Sequence, residues 1–179
     1  MKNLYDSLEL GIQERFRRIK LVATDFDGVW TDNLVIQDQN GNEAVRRSRS
    51  DSLAIDLLKD AGLYDKGNYT STQGLNGDSL DIIIMSRETN PVVSAVSKKI
   101  SVKCQQSKYD KLKAFKEELK SRNLDYSRVA FVGNDLNDIE CLNIAKDKGL
   151  AIAVADSYAQ VLQSANYITA RKGGDGAVR

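Results

Sequence analysis

The chain contains no histidine among its 179 residues. This absence excludes the Ser-His-Asp triad, the Cys-His pair, zinc sites with histidine ligands and the imidazole pH switch. Any chemistry must therefore depend on carboxylates, hydroxyls, lysines, arginines or a bound ion. The length predicts a single domain over residues 1–179 that is long enough to bury a substantial core.

Cysteine, long apolar runs and net charge are also scarce. Cys104 and Cys141 are too few for a disulfide framework and lack metal-site spacing, so we interpret both as small buried hydrophobic residues in a reducing compartment. No apolar run approaches the ~20 residues of a membrane-spanning helix, and the first residues do not form a signal peptide, so we expect a cytoplasmic protein without membrane association. The 26 basic and 25 acidic side chains nearly cancel, which argues against a nucleic-acid partner.

A compact basic cluster is formed by Arg46, Arg47 and Arg49. It has two interpretations, a solvated hairpin face or a site for an anionic substrate, and composition leaves both open.

Apolar, β-branched segments alternate with amphipathic ones along the chain. The predicted strands cover residues 19–24, 81–85, 102–104, 129–132, 150–154 and 166–169. The predicted helices start at Asp51 as N-cap, at Pro91, at Lys108, after Asp138 and at Tyr158, following a short amphipathic lead-in. Such alternation predicts βαβ crossovers and therefore an α/β fold with a Rossmann-like, doubly wound parallel sheet.

Two segments interrupt this alternation. Residues 38–42 are rich in turn formers between two short apolar runs, which predicts a projecting β-hairpin over about 34–47. Residues 63–80 are rich in Gly, Asn, Ser and Thr, where a helix-to-strand connection usually needs about 2–6 residues. Because this loop enters the amino end of a strand, we expect it to lie opposite the ligand crevice as a mobile surface loop or, alternatively, an oligomer contact.

Acidic residues follow two of the predicted strands. Asp25 and Asp27 follow the first strand, and Asp135 and Asp138 follow the strand at 129–132. In doubly wound sheets, ligands bind beyond the carboxyl ends of the strands, so these carboxylates should converge there. Their mutual repulsion favours a hard cation with oxygen ligands, most plausibly Mg²⁺.

Complementary groups follow two other strands. Ser86 follows the strand at 81–85, and Lys111 lies near the start of the helix after 102–104. A hydroxyl, a lysine and Mg²⁺ facing one point suit a phosphate group. An aspartate with an ordinary pKa of about 3.9 is ionised at neutral pH and can attack phosphorus to form an aspartyl-phosphate.

These residues resemble the four motifs of the haloacid dehalogenase superfamily, namely residues 25–32, Ser86, Lys111 and residues 133–138. The resemblance covers nearly the whole chain from residue 19 and is greatest to capless phosphatases that act on 3-deoxy-D-manno-octulosonate 8-phosphate and related nonulosonate 9-phosphates. Residues 86–93 also resemble the phosphatase-like domain that follows some acylneuraminate cytidylyltransferases. The resemblance implies a fold without a cap domain.

The resemblance implies a catalytic role for each aspartate. Asp25 would be the nucleophile and a Mg²⁺ ligand. Asp27 would be the general acid and then the general base, with its backbone carbonyl on the metal. Asp135 would complete the protein ligands and Asp138 would orient its neighbours. Because no imidazole is present, Asp27 must hold a proton near neutral pH, so we expect an environment that raises its pKa.

The resemblance also implies binding and assembly roles. The phosphoryl group or the rest of a phosphosugar-acid substrate would be bound by Ser86, Lys111, Thr31, Asn134 and Arg49. The relatives form homotetramers in which hairpins associate, so the basic cluster would lie near an interface or a substrate carboxylate. The chain departs from the relatives in its long 63–80 loop, in Ser52 where glycine is common, and in stopping at Arg179.

Two alternative functions have different signatures. A catalytically idle tetramerisation domain beside a nucleotidyltransferase has no physical need for the paired charge of Asp25 and Asp27. A phospho-accepting receiver domain must preserve its aspartyl-phosphate, which an acid/base at Asp27 would oppose. Both are therefore less favoured than a phosphatase.

Overall fold

A computed structural model of the chain describes residues 8–64, 79–107 and 109–179. The strands are β1 Leu21–Thr24, β2 Val35–Gln37, β3 Glu43–Val45, β4 Asp81–Met85, β5 Lys103–Gln105, β6 Val129–Gly133, β7 Leu150–Ala153 and β8 Tyr167–Ile168. The helices are α1 Leu10–Arg18, α2 Arg49–Asp60, α3 Val92–Ile100, α4 Lys111–Ser121, α5 Ile139–Lys148 and α6 Ala159–Ser164.

Six strands form one parallel sheet in the order β5-β4-β1-β6-β7-β8. Strand β1 lies inside the sheet, and the chain continues to β4 on one side of it before reaching β6 on the other. This reversal opens a crevice at the carboxyl ends of β1, β4 and β6. The predicted doubly wound α/β fold is confirmed, and within the described residues no further domain is inserted into it.

Apolar side chains cover both faces of the sheet, as expected for parallel strands. One core cluster includes Phe115 and Phe131, whose ring centroids lie 5.2 Å apart in an edge-to-face contact. The opposite cluster includes Trp30, Ile55 and Ile84. Each such side chain contributes roughly 1.5–3 kcal/mol on burial, so the core fixes β1, β4 and β6 and with them the crevice.

Helix α2 begins earlier than the sequence predicted. Its N-cap is Ser48, whose hydroxyl accepts a hydrogen bond from the Ser50 N–H at 3.2 Å, so the prediction of Asp51 as the N-cap is wrong. Asp51 lies in the first turn, fully buried, and its carboxylate accepts the backbone N–H groups of Val178 and Arg179 at 3.1 Å each. These two partners of the Asp51 carboxylate are distant in the sequence, and a local sequence pattern cannot reveal such partners.

The predicted β-hairpin is present, with β2 and β3 paired antiparallel in a separate two-stranded sheet. The Asp38 carboxylate organises its turn by accepting the backbone N–H groups of Asn40 and Asn42. Both strands are shorter than expected, since β3 ends at Val45. Arg49 is therefore not a hairpin residue but the first residue of α2.

Several smaller predictions have mixed outcomes. The predicted helix start at Lys108 is wrong, because α4 begins at Lys111 behind Asp110, whose side chain accepts the Lys113 N–H at 2.8 Å. Cys141 is buried as predicted, whereas Cys104 is only half-buried, and both thiols are free.

The flanks of the predicted 63–80 loop meet at the amino end of β4, where the Leu80 N–H donates to the Leu63 carbonyl at 2.7 Å. Residues 65–78 of that loop lie outside the described residues, so its predicted character is untested. No described helix has the length and apolar character required to cross a bilayer.

Candidate active site

The loop after β1 folds tightly around its own backbone. The Asp25 carboxylate accepts the N–H of Phe26 at 2.7 Å. The Thr31 hydroxyl accepts the N–H groups of Gly28 at 3.1 Å and Asn33 at 3.3 Å, and its side chain is fully buried. Thr31 therefore braces the loop from within; its predicted contact with phosphate stays a prediction.

Gly28 allows a second loop to approach this one. Its φ is +76°, which favours glycine, and a β-carbon there would lie 1.8 Å from the Nδ2 atom of Asn134. The Asn134 side chain thus packs directly onto the loop that carries Asp25 and Asp27. This contact joins the carboxyl ends of β1 and β6.

Lys111 links the two acidic motifs. Its Nζ lies 2.8 Å from an oxygen of Asp25 and 2.7 Å from an oxygen of Asp138, and all three side chains are buried. The second Asp138 oxygen accepts the N–H groups of Asn134 at 2.9 Å and Asp135 at 3.3 Å. Asp138 therefore holds both the lysine and the backbone of the loop after β6.

The Asp25–Lys111–Asp138 cluster carries two carboxylates for one cation, and the pKa values reflect this excess. Burial, and next the neighbouring charge of Asp138, raise the pKa of Asp25 from 3.8 to about 7, although Lys111 opposes the change. Burial lowers the pKa of Lys111, but Asp25 and Asp138 outweigh it and leave the pKa raised. Lys111 thus stays charged, whereas Asp25 requires further positive charge to be fully ionised at neutral pH.

Asp27 has the environment that its expected role demands. Its pKa is raised, mainly by burial and further by the charges of Glu88 and Glu43, with Lys111 acting in the opposite direction. Because Glu43 lies on β3, the hairpin contributes to the electrostatics of the site. Glu43 is held there by the side-chain amide of Asn90, which donates to its carboxylate at 2.7 Å.

A cleft of about 310 Å³ opens above these groups. Five predicted site residues line it, namely Asp25, Asp27, Ser86, Asn134 and Asp135. Lys111 and Asp138 lie buried next to Asp25, whereas Arg49 is exposed at the start of α2 and is not part of the cleft lining.

Five further residues line the cleft and were not predicted. They are Asn33, Arg87, Glu88, Tyr109 and Asn137. Arg87 and Glu88 directly follow Ser86 at the end of β4, and that position is the signal by which they could have been found. Asn137 lies within the motif at residues 133–138, which is the signal for it, whereas Tyr109 and Asn33 lie in loops without any local pattern.

The donor set of the cleft fits a hard divalent cation. Asp25 and Asp135 offer carboxylates, and the Oδ1 atoms of Asn134 and Asn137 are buried without a hydrogen-bond partner. In the described residues no three acidic or thiol side chains are placed so that they could hold one metal ion, so a cation would also need the Asp27 carbonyl or water. A cation would lower the pKa of Asp25 and leave it ionised.

Residues 173–179 fasten the loop after β1 to α2. The Gly174 N–H donates to the Val29 carbonyl at 3.1 Å. The same segment ends on the Asp51 carboxylate through Val178 and Arg179. In this chain the segment therefore supports the loop of its own subunit.

The geometry can be compared with known proteins. The family model of haloacid dehalogenase-like hydrolases matches residues 16–179. The chain belongs to the haloacid dehalogenase-like hydrolase family. This membership excludes the receiver-domain alternative and confirms the resemblance in the motifs.

Relatives within the family are phosphatases. The chain is 29% identical over 167 residues to the 3-deoxy-D-manno-octulosonate 8-phosphate phosphatase KdsC of Yersinia pestis, a match that covers 93% of this chain and 79% of the relative. It is also 29% identical to KdsC of Escherichia coli K12, with 98% of this chain and 83% of the relative covered.

Solved structures give the same result. The 3-deoxy-D-manno-octulosonate 8-phosphate phosphatase of Moraxella catarrhalis, solved with magnesium, phosphate and KDO, superposes with a TM-score of 0.78 at 27% identity over 94% of this chain and 86% of that chain. The Yersinia pestis phosphatase structure gives a TM-score of 0.82 at 26% identity over 99% and 86%. The present chain is a phosphoric monoester hydrolase of the haloacid dehalogenase type.

Proposed function

We propose that this chain is a magnesium-dependent phosphatase of a sugar-acid phosphate, either 3-deoxy-D-manno-octulosonate 8-phosphate or a nonulosonate 9-phosphate, and that it acts through an aspartyl-phosphate. The observation that carries the proposal is the pairing of buried Asp25, held by Lys111, with a second aspartate of raised pKa two residues later. The relatives that cover nearly the whole chain support the substrate class.

In the first step, Asp25 attacks the phosphorus atom. One carboxylate oxygen forms the new P–O bond while the bond from phosphorus to the sugar oxygen breaks. Asp27 donates its proton to the leaving oxygen, which departs as a neutral hydroxyl. Burial, the main cause of the raised pKa of Asp27, favours the protonated form that this step needs.

In the second step, water hydrolyses the aspartyl-phosphate. Asp27, now ionised, accepts a proton from the water as it attacks phosphorus, and the bond to Asp25 breaks to release inorganic phosphate. Both aspartates then return to their starting protonation states. Asp27 therefore serves as acid and base in turn, and no histidine is required.

The remaining groups bind the phosphoryl oxygens. Lys111 supplies a buried positive charge at Asp25. The Ser86 oxygen accepts the Glu88 N–H at 3.0 Å, so its own proton is free to be donated into the cleft. A magnesium ion held by Asp25, Asp135 and the Asp27 carbonyl would neutralise the charge that develops on the phosphoryl group.

The proposal is tested by phosphate release from a panel of substrates. The panel contains octulosonate 8-phosphate, a nonulosonate 9-phosphate, a hexose 6-phosphate and 4-nitrophenyl phosphate, each with Mg²⁺ or with excess chelator. We expect kcat/KM for one sugar-acid phosphate to exceed that for the hexose phosphate by about 100-fold or more, a difference of roughly 2.7 kcal/mol, and chelator to abolish turnover. Equal rates on all substrates, or full activity in chelator, would contradict it.

A variant isolates the role of Asp27. With the activated aryl ester, Asp27→Asn should still allow attack by Asp25 but should slow hydrolysis, because no base assists the water. Intact-mass spectrometry should then detect a chain that carries one phosphoryl group. Asp56→Asn, an exposed change on α2, is the matched control and should accumulate none. If Asp27→Asn loses turnover but no phosphorylated chain accumulates, the result would argue against the aspartyl-phosphate route.

A homotetramer is the second part of the proposal. Leu34, Val35 and Ile36 expose 64%, 55% and 70% of their surface on the projecting hairpin, which is a costly arrangement for an isolated chain. Association of hairpins would cover this run. Light scattering after gel filtration should give four times the chain mass, and Ile36→Glu should reduce it; an unaltered mass would exclude the hairpin as the interface. A cytoplasmic location also stays a prediction.

A further inference from the structure

The charge of the cleft is unevenly distributed between its base and its rim. Four carboxylates line it, from Asp25, Asp27, Glu88 and Asp135, and among the described residues of the lining Arg87 is the single cation. Lys111, at the base, is already shared between two carboxylates. A second negative group on a substrate, away from the phosphate, would therefore find its favourable charge on the described lining at Arg87.

Arg87 forms no ion pair with the described acidic residues of the cleft. The adjacent Glu88 carboxylate is occupied by the N–H groups of Thr89 at 2.6 Å and Asn90 at 2.8 Å, which also lower the pKa of Glu88. In the described parts of the chain, the Arg87 side chain forms no ion pair and no hydrogen bond. Its charge is thus available to a ligand.

Tyr109 holds the guanidinium in place. The Arg87 Cζ lies 4.4 Å from the centroid of the Tyr109 ring, a cation–π contact at the rim, where Tyr109 is 84% exposed. Within the described residues no acceptor binds the guanidinium, so its N–H edges stay free. Those edges match a carboxylate bidentately.

We propose that the stacked Arg87–Tyr109 pair is the specificity determinant that binds the carboxylate of a sugar-acid substrate. This inference rests on the proposed function and extends it. The phosphoryl group must lie at Asp25, at the base of the cleft, so the leaving sugar extends toward the rim. There the free edges of Arg87 bind its carboxylate, while Tyr109 orders the arginine.

The test compares Arg87→Gln with the wild type on a sugar-acid phosphate and on 4-nitrophenyl phosphate, which lacks a carboxylate. We expect Arg87→Gln to raise KM for the sugar-acid phosphate about 10- to 100-fold with kcat nearly unchanged, as for loss of a charge-assisted hydrogen-bonded pair. KM for the aryl phosphate should change less than about 2-fold, because its binding does not involve Arg87. Lys116→Gln removes one exposed positive charge on α4 outside the cleft and should leave both substrates unaffected.

Two further variants separate the contribution of the charge of Arg87 from that of its planar shape and its contact with Tyr109. Arg87→Lys keeps the charge but loses the planar fork, so it should recover only part of the lost KM. Tyr109→Leu should raise KM for the sugar-acid phosphate about 3- to 10-fold, since an unstacked arginine must be ordered on binding.

The outcomes distinguish this inference from the proposed function. A sugar-acid preference that survives in Arg87→Gln would overturn the role of Arg87 and leave the proposed function intact. An equal rise in KM for both substrates would also overturn it, because Arg87 would then act on the phosphoryl group. A wild-type enzyme that hydrolyses the aryl phosphate with no sugar-acid preference would instead remove the proposed substrate class.

Discussion

Helix α4 carries a buried ion cluster at each end, and the two clusters differ in charge balance. At its first residue, Lys111 is shared between two carboxylates, Asp25 and Asp138. At its other end, the balanced cluster pairs two cations with two carboxylates. It consists of Arg122, Lys103, Asp81 and Glu118.

The pKa values of Asp25 and Glu118, one carboxylate from each cluster, are shifted in opposite directions. Burial raises the pKa of Glu118, but its hydrogen bonds and charge interactions with Lys103 and Arg122 outweigh burial and leave the pKa lowered. The pKa of Asp25 is raised to about 7, first by its burial and next by the charge of Asp138, which the single shared lysine does not offset. A balanced cluster stabilises the fold or is neutral to it, whereas this unbalanced one holds excess negative charge that a cation relieves.

The largest expected contrast is in turnover. Asp25→Asn should lower kcat by about 10³-fold or more, because the nucleophile is lost. Glu118→Gln makes the same carboxylate-to-amide change at the opposite end of α4 and should leave kcat within about 3-fold, since it touches no cleft residue. Steady-state kinetics with 4-nitrophenyl phosphate and Mg²⁺ measures both. Comparable losses in the two variants would show that the balanced cluster is coupled to catalysis.

The convergence of three predicted site residues on the cleft could be predicted from the sequence. Parallel strands buried on both faces appear as apolar runs, and their carboxyl ends must share one edge, so the sequence predicts that Asp25, Ser86 and Asp135 converge there. The match of β4 to the predicted 81–85 follows from the same pattern.

The rim of the cleft and the role of Asp51 could not be predicted in this way. Tyr109 and Asn33 lie in loops, where side-chain direction depends on tertiary packing rather than on periodicity. Asp51 resembled an N-cap because aspartate favours helix starts, where it binds backbone N–H groups nearby in the sequence. Its partners are instead backbone groups of residues 178 and 179. Contacts over such sequence separation leave no local pattern.

The second expected contrast is in stability. Glu118→Gln leaves Arg122 and Lys103 with one carboxylate between them, and breaking a buried pair of this kind should lower the free energy of unfolding by about 3 kcal/mol. Asp25→Asn leaves Lys111 paired with Asp138 alone, a balanced pair, and should not lower it. Urea unfolding at pH 7 in chelator measures both.

A neighbouring residue provides the control for this contrast. Glu117→Gln, on the exposed face of α4, should change the free energy of unfolding by less than about 0.5 kcal/mol. A loss of equal size in Asp25→Asn and Glu118→Gln would refute the distinction between the clusters.

The smallest expected contrast is in pH dependence, and its sign differs between the clusters. The folded-state pKa of Asp25, about 7, lies above its ordinary value of 3.8, so the folded chain binds the extra proton between these values. The stability that protonated Asp25 contributes is therefore complete below pH 4 and lost as pH rises through about 7. Relative to Asp25→Asn, the metal-free wild type should lose about 2.5 kcal/mol between pH 5 and 8. Mg²⁺ should reduce this loss because it stabilises the ionised form.

Glu118 should behave in the opposite way. Its folded-state pKa lies below the ordinary 4.5, so its contribution is present above that pH and lost as pH falls through the lowered value. The difference in the free energy of unfolding between the wild type and Glu118→Gln should therefore narrow only at acid pH. The difference between the wild type and Asp25→Asn should widen only toward alkaline pH. Urea unfolding of the three proteins from pH 3 to pH 8 in chelator provides the comparison. Parallel curves for all three would mean that charge balance does not distinguish the two ends of α4.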